Sequence, residues 1–189
     1  MGEYRNVYDA YAALLTYPRQ DYHERIRRCC NGLSTAMKDS SNDSVAPKEQ
    51  LQSAYSYLTS FRGRTENLSI EELEELYART FDINPVASLE IGWQLYGESY
   101  ERGSFLVRMR ELLRACAIEE SSELPDHLTH VLLALGRMES KSAEDFINAY
   151  VVKSLRKMLE GFEGKENPFE NILLALLTLM TEGSTVVKE

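Results

Sequence analysis

Residues 97–138 are GESYERGSFLVRMRELLRACAIEESSELPDHLTHVLLALGRM, and their pattern decides the fold. On both sides of the acidic centre, apolar residues recur every three or four positions, as on one face of an α-helix. These positions are Phe105, Leu106, Met109, Leu112, Leu113 and Cys116, then Leu128, Val131, Leu132, Leu135 and Met138. The stretch therefore predicts two amphipathic helices joined by a short acidic loop, which is a helical hairpin.

The joint of this hairpin carries Glu123, Pro125, Asp126 and His127. Proline suits the first turn of a helix, because its missing N–H needs no partner there. We expect Ser122 or Glu123 to cap the second helix and Asp126 to favour its positive end. The joint thus places carboxylates and an imidazole at the start of a helix.

The rest of the chain also follows the helical period, and no segment shows the two-residue alternation of a strand. We expect an all-α, single-domain bundle of roughly seven to nine helices. Ser69, followed three residues later by Glu72, predicts a capping box. Polar residues 38–47 predict a loop that could act as a hinge, which leaves a monomer or a domain-swapped dimer open. The predicted domain spans residues 1–182, and residues 183–189 are expected to fray.

Composition limits the function classes. The chain has 189 residues, of which 43% are hydrophobic and 27% charged, which suits one globular domain. Its net charge of −9 argues against nucleic-acid binding, which requires a basic surface. Three cysteines without metal-type spacing indicate a reducing compartment. No apolar run approaches the ~20 residues of a membrane span, so we expect a cytoplasmic protein.

Catalytic and metal-binding chemistry has little support in the sequence. The nucleophile-elbow, dinucleotide and phosphate-loop motifs are all missing, so the chain is predicted not to be an enzyme. His127 and His130 are three residues apart on one predicted helix and could share a metal ion, although no further ligand is evident. Cys29 and Cys30 follow three arginines, a setting that could activate one thiol.

Several short segments, taken in order, resemble one protein family. They are LLTYP at 14–18, YARTFD at 77–82, SL at 88–89, YGESYERG at 96–103 and ELPDHL at 123–128. This series is similar to the nitrate reductase delta-subunit chaperones, the NarJ group within the TorD/DmsD superfamily of redox-enzyme maturation proteins. The chain departs from the family pattern at Glu98, where aspartate is usual, and at Tyr100, which is bulkier.

The resemblance implies a TorD-like, all-helical assembly chaperone in the cytoplasm. Such a protein binds the N-terminal peptide, a twin-arginine signal or a remnant of one, of a molybdoenzyme reductase's catalytic subunit. It holds that subunit for molybdenum-cofactor insertion and complex assembly. The resemblance implies no tightly bound cofactor of its own, since the molybdenum cofactor is handled through the client.

The resemblance also places a peptide groove on eight residues of this chain. They are Tyr96, Glu98, Glu101, Arg102, Glu123, Pro125, Asp126 and His127. Carboxylates at a groove suit a peptide that carries arginines, because a guanidinium can bond both carboxylate oxygens at once. We expect Asp126→Ala to weaken peptide binding without unfolding the protein.

Two other functions remain open at this point. One is a structural subunit or adaptor that is retained in a finished respiratory complex. The other is a small helical metal-binding protein that uses His127 and His130. Which molybdoenzyme is the client also stays open.

Overall fold

The structure, a computed structural model, describes residues 3–38, 46–83 and 86–181. Within these ranges the chain forms nine helices and no strand, which confirms the predicted all-α bundle. The helices are α1 (Glu3–Leu14), α2 (Tyr22–Lys38), α3 (Lys48–Thr65), α4 (Ile70–Tyr77, continued by a π-helical turn Ala78–Asp82), α5 (Ile91–Tyr96), α6 (Tyr100–Ala115), α7 (Leu128–Leu135), α8 (Ser140–Phe146, a π-helical turn Ile147–Val151, then Val152–Glu160) and α9 (Glu170–Met180). Most of the predicted loop at 38–47 and all of the predicted frayed tail at 183–189 lie outside the described residues.

The core forms where α3 packs on α9 and α2, and where α1 packs on α7 and α2. Phe169, just before α9, lies at its centre, 5.4 Å from Phe61 of α3 and 5.0 Å from Phe81 of α4, measured between ring centroids. Tyr8 and Tyr11 of α1 are buried, as their helical spacing predicted. The apolar stripes read from the sequence are therefore mainly core.

Helix α4 begins with the predicted capping box. The Ser69 hydroxyl accepts a hydrogen bond from the Glu72 backbone N–H at 3.2 Å, and the Glu72 carboxylate accepts one from the Ser69 N–H at 2.7 Å. These two bonds satisfy N–H groups that a helix start leaves without partners.

The predicted hairpin at residues 97–138 forms only in part. Both helices exist, but α7 packs mainly on α1, whereas α6 packs mainly on α5. The reason is that α7 is buried on nearly every side, including Thr129 and His130. By contrast, α6 leaves Val107 56% exposed. An all-round apolar helix belongs in the centre of a bundle, and an amphipathic one belongs at its edge.

The two adjacent cysteines are structural. Cys29 and Cys30 are buried on α2, and burial raises the pKa of both thiols. The suggested thiol activation is therefore wrong. The three neighbouring arginines instead form ion pairs with Asp21 and Glu24.

Candidate functional site

A short antiparallel bridge brings the two halves of the predicted site together. The Ile91 N–H donates to the Asp126 carbonyl at 3.0 Å, and the Leu128 N–H donates to the Leu89 carbonyl at 2.8 Å. The segment before α5 is thereby fixed beside the segment before α7, although about 35 residues separate them along the chain. The predicted residues of 96–102 and 123–127 consequently belong to one region.

Asp126 is fully buried in this region, at 0% exposure. One of its carboxylate oxygens, Oδ2, accepts a hydrogen bond from the Gly92 N–H at 2.8 Å. Burial raises the pKa of the Asp126 carboxyl, while the Gly92 N–H and the charge of Arg102 act in the opposite direction. Asp126 therefore anchors the start of α5, and its second oxygen, Oδ1, has no hydrogen-bond partner among the described residues.

His127 is the N-cap of α7, which corrects the expectation that Ser122 or Glu123 would cap this helix. Its Nδ1 accepts from the Thr129 N–H at 3.4 Å. The helix starts only at Leu128, so proline precedes its first turn and does not lie in it. A ring nitrogen that carries no proton can accept at a helix start as a hydroxyl does, although histidine is not among the preferred capping residues.

The His127 ring is 5% exposed, and burial lowers its pKa to about 4. The imidazole is consequently uncharged at neutral pH. Its Nε2 lies 4.0 Å from the carboxylate of the exposed Glu123. His127 therefore adds no positive charge to the acidic groups around it.

An open groove of about 480 Å³ lies at the start of α6. Its lining combines apolar side chains with Glu98 and Arg102, two of the predicted site residues. The lining residues are Glu98, Ser99, Tyr100, Arg102, Gly103, Leu106 and Leu124. Tyr100 is 89% exposed and Leu124 is 42% exposed, so two large side chains of this lining are accessible. The groove is thus lined by apolar and charged side chains together.

The other predicted residues occupy different positions around this groove. Tyr96 is half-buried, and its ring centroid lies 5.6 Å from that of Phe105. Glu101 is exposed in the first turn of α6, where hydrogen bonds lower the pKa of its carboxyl. Pro125 is buried beside Asp126. Glu98, Glu101 and Glu123 are therefore the exposed acids among the predicted site residues, whereas Asp126 is covered.

Glu90 and Trp93 also belong to this region, although no sequence motif predicted them. Glu90 is half-buried, accepts a hydrogen bond from the Ser88 hydroxyl, and has a pKa raised mainly by burial and also by the nearby Asp126. Trp93 is 39% exposed on α5, and the guanidinium of Arg102 lies 5.2 Å from its ring centroid. The only sequence signal for Trp93 was its being the single tryptophan of the chain.

The comparison with protein families decides where this chain belongs. A model of the family described as nitrate reductase delta subunit matches residues 41–169. The chain belongs to that family. The match includes every predicted site residue and the whole of α3 to α8, while α1, α2 and α9 lie outside it. A comparison with curated proteins finds no match.

Membership of the nitrate reductase delta subunit family supports a general role in molybdoenzyme assembly, because the family is one of chaperones and not of catalysts. The narrower placement in the TorD/DmsD superfamily stays a prediction. In the described ranges, no helix is both long enough and apolar enough to cross a bilayer.

His127 and His130, at the start of α7, make structural contacts. His130 is buried, its Nε2 accepts from the Ser121 N–H at 3.2 Å, and its Nδ1 lies 2.9 Å from the Leu124 carbonyl. The centroids of the His127 and His130 rings are 6.5 Å apart. Within residues 3–38, 46–83 and 86–181, no group of three or more His, Cys, Asp or Glu side chains is arranged to hold a metal ion. The His130 contacts instead hold the 121–124 loop against α7.

Proposed function

We propose that this protein is an assembly chaperone that binds the N-terminal peptide of the catalytic subunit of a nitrate-reductase-type molybdoenzyme. The single observation that carries the proposal is the open groove beside acidic residues, in a chain of the nitrate reductase delta subunit family. The groove offers Leu106 and Leu124 to an apolar peptide face. Glu98 lies in its lining, and Glu123 immediately precedes Leu124.

The chemistry of this surface suits a cationic, amphipathic peptide. A short helix can lay its apolar face into a groove and direct its polar face to the rim. Arginine side chains on that face would meet carboxylates, with which a guanidinium forms charge-assisted, often paired hydrogen bonds. The net charge of −9 favours the approach of such a peptide over longer distances.

The remaining features of the proposal follow the family resemblance. The protein holds its client in the cytoplasm until the molybdenum cofactor has been inserted and the subunit joins its complex. That cofactor stays with the client, and the chaperone binds none tightly. The chaperone acts as a monomer or as a domain-swapped dimer, and it performs no catalysis.

Isothermal calorimetry with a synthetic N-terminal peptide of the catalytic subunit tests the proposal. Glu98→Gln and Glu123→Gln should each weaken binding about two- to fivefold, the effect of losing one exposed ion pair. Glu71→Gln, on the exposed first turn of α4, is the matched control and should leave affinity unchanged. Equal affinities for all four proteins would contradict the assignment of these acids.

Asp126 needs a different substitution from the alanine suggested by the sequence. Alanine would leave the buried Gly92 N–H without an acceptor and so destabilise the fold. Asp126→Asn retains a side-chain oxygen for that bond and removes the charge. It should lower peptide affinity while the helical circular dichroism spectrum is retained.

The rival function, a subunit that stays in the finished complex, makes the opposite prediction for purification. A chaperone should co-purify with the immature catalytic subunit and should be missing from the purified active enzyme. Recovery of this chain in a fixed ratio with the active reductase would refute the chaperone role.

A further inference from the structure

Arg102 occupies an unusual position at the wall of the groove. It lies in the first turn of α6, and its guanidinium is placed over the ring of Trp93. Its aliphatic stem and the Asp126 carboxylate both pack over Gly92, since a Cβ atom there would lie 3.5 Å from Arg102 Cγ and 2.6 Å from Asp126 Oδ2. The guanidinium thus lies against an aromatic face, which is a weak contact at exposed sites.

The polar atoms of this cluster are incompletely paired. Arg102 Nε and Asp126 Oδ1 are both buried, and neither has a hydrogen-bond partner within the described part of the chain. The two side chains nevertheless influence each other electrostatically. Buried polar groups in native proteins are nearly always bonded, so a donor and an acceptor left open in one cluster indicate a site for another group.

The carboxyl groups near Arg102 also outnumber its single positive charge. Glu90 interacts electrostatically with Asp126, with Glu123 and with Arg102. The carboxyl groups of Glu90 and Asp126 therefore share one guanidinium, and His127 contributes no charge at neutral pH. A guanidinium that also bonds Asp126 Oδ1 would satisfy this cluster better than Arg102 does in its present position.

We propose that Arg102 is a displaceable internal counter-ion, which occupies the place that an arginine side chain of the client peptide takes on binding. This inference rests on the proposed function and identifies Arg102 as the group with which the client's arginine competes inside the site. The incoming guanidinium stacks on Trp93 and bonds the open oxygen of Asp126. Arg102 then moves into the groove whose wall it already forms, towards Glu98. Trp93 thereby becomes a peptide-binding residue, and Arg102 determines which cations are admitted.

Removing Arg102 should strengthen peptide binding, whereas removing a residue that contacts the ligand usually weakens it. Without Arg102 no internal cation has to leave Trp93, so Arg102→Gln should bind an arginine peptide about two- to fivefold more tightly, the equivalent of the lost stacking. Arg102→Lys keeps the charge but stacks less well, and it should show a smaller gain. A residue that contacts the peptide directly would show a loss.

The test uses the full chain and two synthetic amphipathic peptides, one with adjacent arginines and one with glutamines in their place. Affinity is measured by calorimetry and by the fluorescence of Trp93, the single tryptophan. The expected result is a change in Trp93 emission with the arginine peptide, tighter binding by Arg102→Gln, and no gain for the glutamine peptide. Arg114→Gln, an exposed arginine at the other end of α6, is the matched control and should leave affinity unchanged.

The possible results distinguish a failure of the counter-ion role from a failure of the chaperone function. If the wild type binds the arginine peptide but folded Arg102→Gln binds it equally or more weakly, the counter-ion role is refuted and the chaperone function stands. If no variant binds the peptide, both are refuted. If Arg102→Gln does not fold, Arg102→Lys decides by the same criterion, since it preserves the charge balance.

Discussion

The buried cap of α7 predicts a specific dependence of stability on pH. The pKa of His127 is about 4 in the folded protein, against 6.5 for the unperturbed side chain. A depressed pKa means that the stabilisation is fully present above about pH 6.5 and is lost as pH falls towards about pH 4. Each pH unit in that window costs about 1.4 kcal/mol. Between about pH 7.5 and pH 5, His127 should therefore remove about 2 kcal/mol from the free energy of unfolding.

His127→Asn isolates this contribution, because asparagine is a good N-cap that does not titrate. Urea unfolding of wild type and variant, followed by circular dichroism at several pH values, gives the difference between their free energies of unfolding. That difference should shift by about 2 kcal/mol in favour of the variant over this range. A constant offset would report only the lost packing of the ring. The raised pKa values of Glu90 and Asp126 act in the opposite direction, but both proteins contain them, so subtraction removes their effect.

The other predictions concern single contacts of the fold. Gly92→Ala places a Cβ atom 2.6 Å from Asp126 Oδ2, and it should lower the free energy of unfolding by about 1–3 kcal/mol in urea titrations. Gly103→Ala is its control: its Cβ atom would have no neighbour within 4 Å, and we expect a gain of about 0.5–1 kcal/mol. A loss at Gly103 as large as at Gly92 would refute the steric explanation. Ser69→Ala removes half of the capping box and should cost about 1 kcal/mol, seen as a lower melting temperature. An unchanged melting temperature would mean that the cap adds nothing.

The features that the sequence predicted correctly are those that depend on neighbours along the chain. The capping box at Ser69 involves residues three apart, and the burial of Tyr8 and Tyr11 follows from helical periodicity. Such local patterns are visible in one sequence because the helix repeat fixes which residues share a face.

The features that the sequence missed depend on contacts across the bundle. The carboxylate of Asp126 is held by a hydrogen bond from the Gly92 N–H, 34 positions away, and no local sequence pattern predicts that bond. Glu90 and Trp93 join the site only through the bridge before α5, for the same reason. The hairpin expectation failed in part because periodicity shows which face of a helix is apolar, but not which helix covers it. The motifs thus indicated which segments lie close together, whereas the exposure and orientation of their side chains could not be predicted from the sequence.

The bridge between residues 89–91 and 126–128 has a consequence for how this site can vary between related chains. Both of its hydrogen bonds join main-chain atoms, so changes of side chain at these positions leave the spacing of the two segments intact. The loop after α6 is fixed at its far end by the Ser121 and Leu124 contacts to His130. Insertions or deletions should accordingly be tolerated at 117–120, whereas one residue added at 124–127 would move Asp126 and His127 out of register with the segment before α5. Length differences among related chains are therefore expected to accumulate ahead of Ser121.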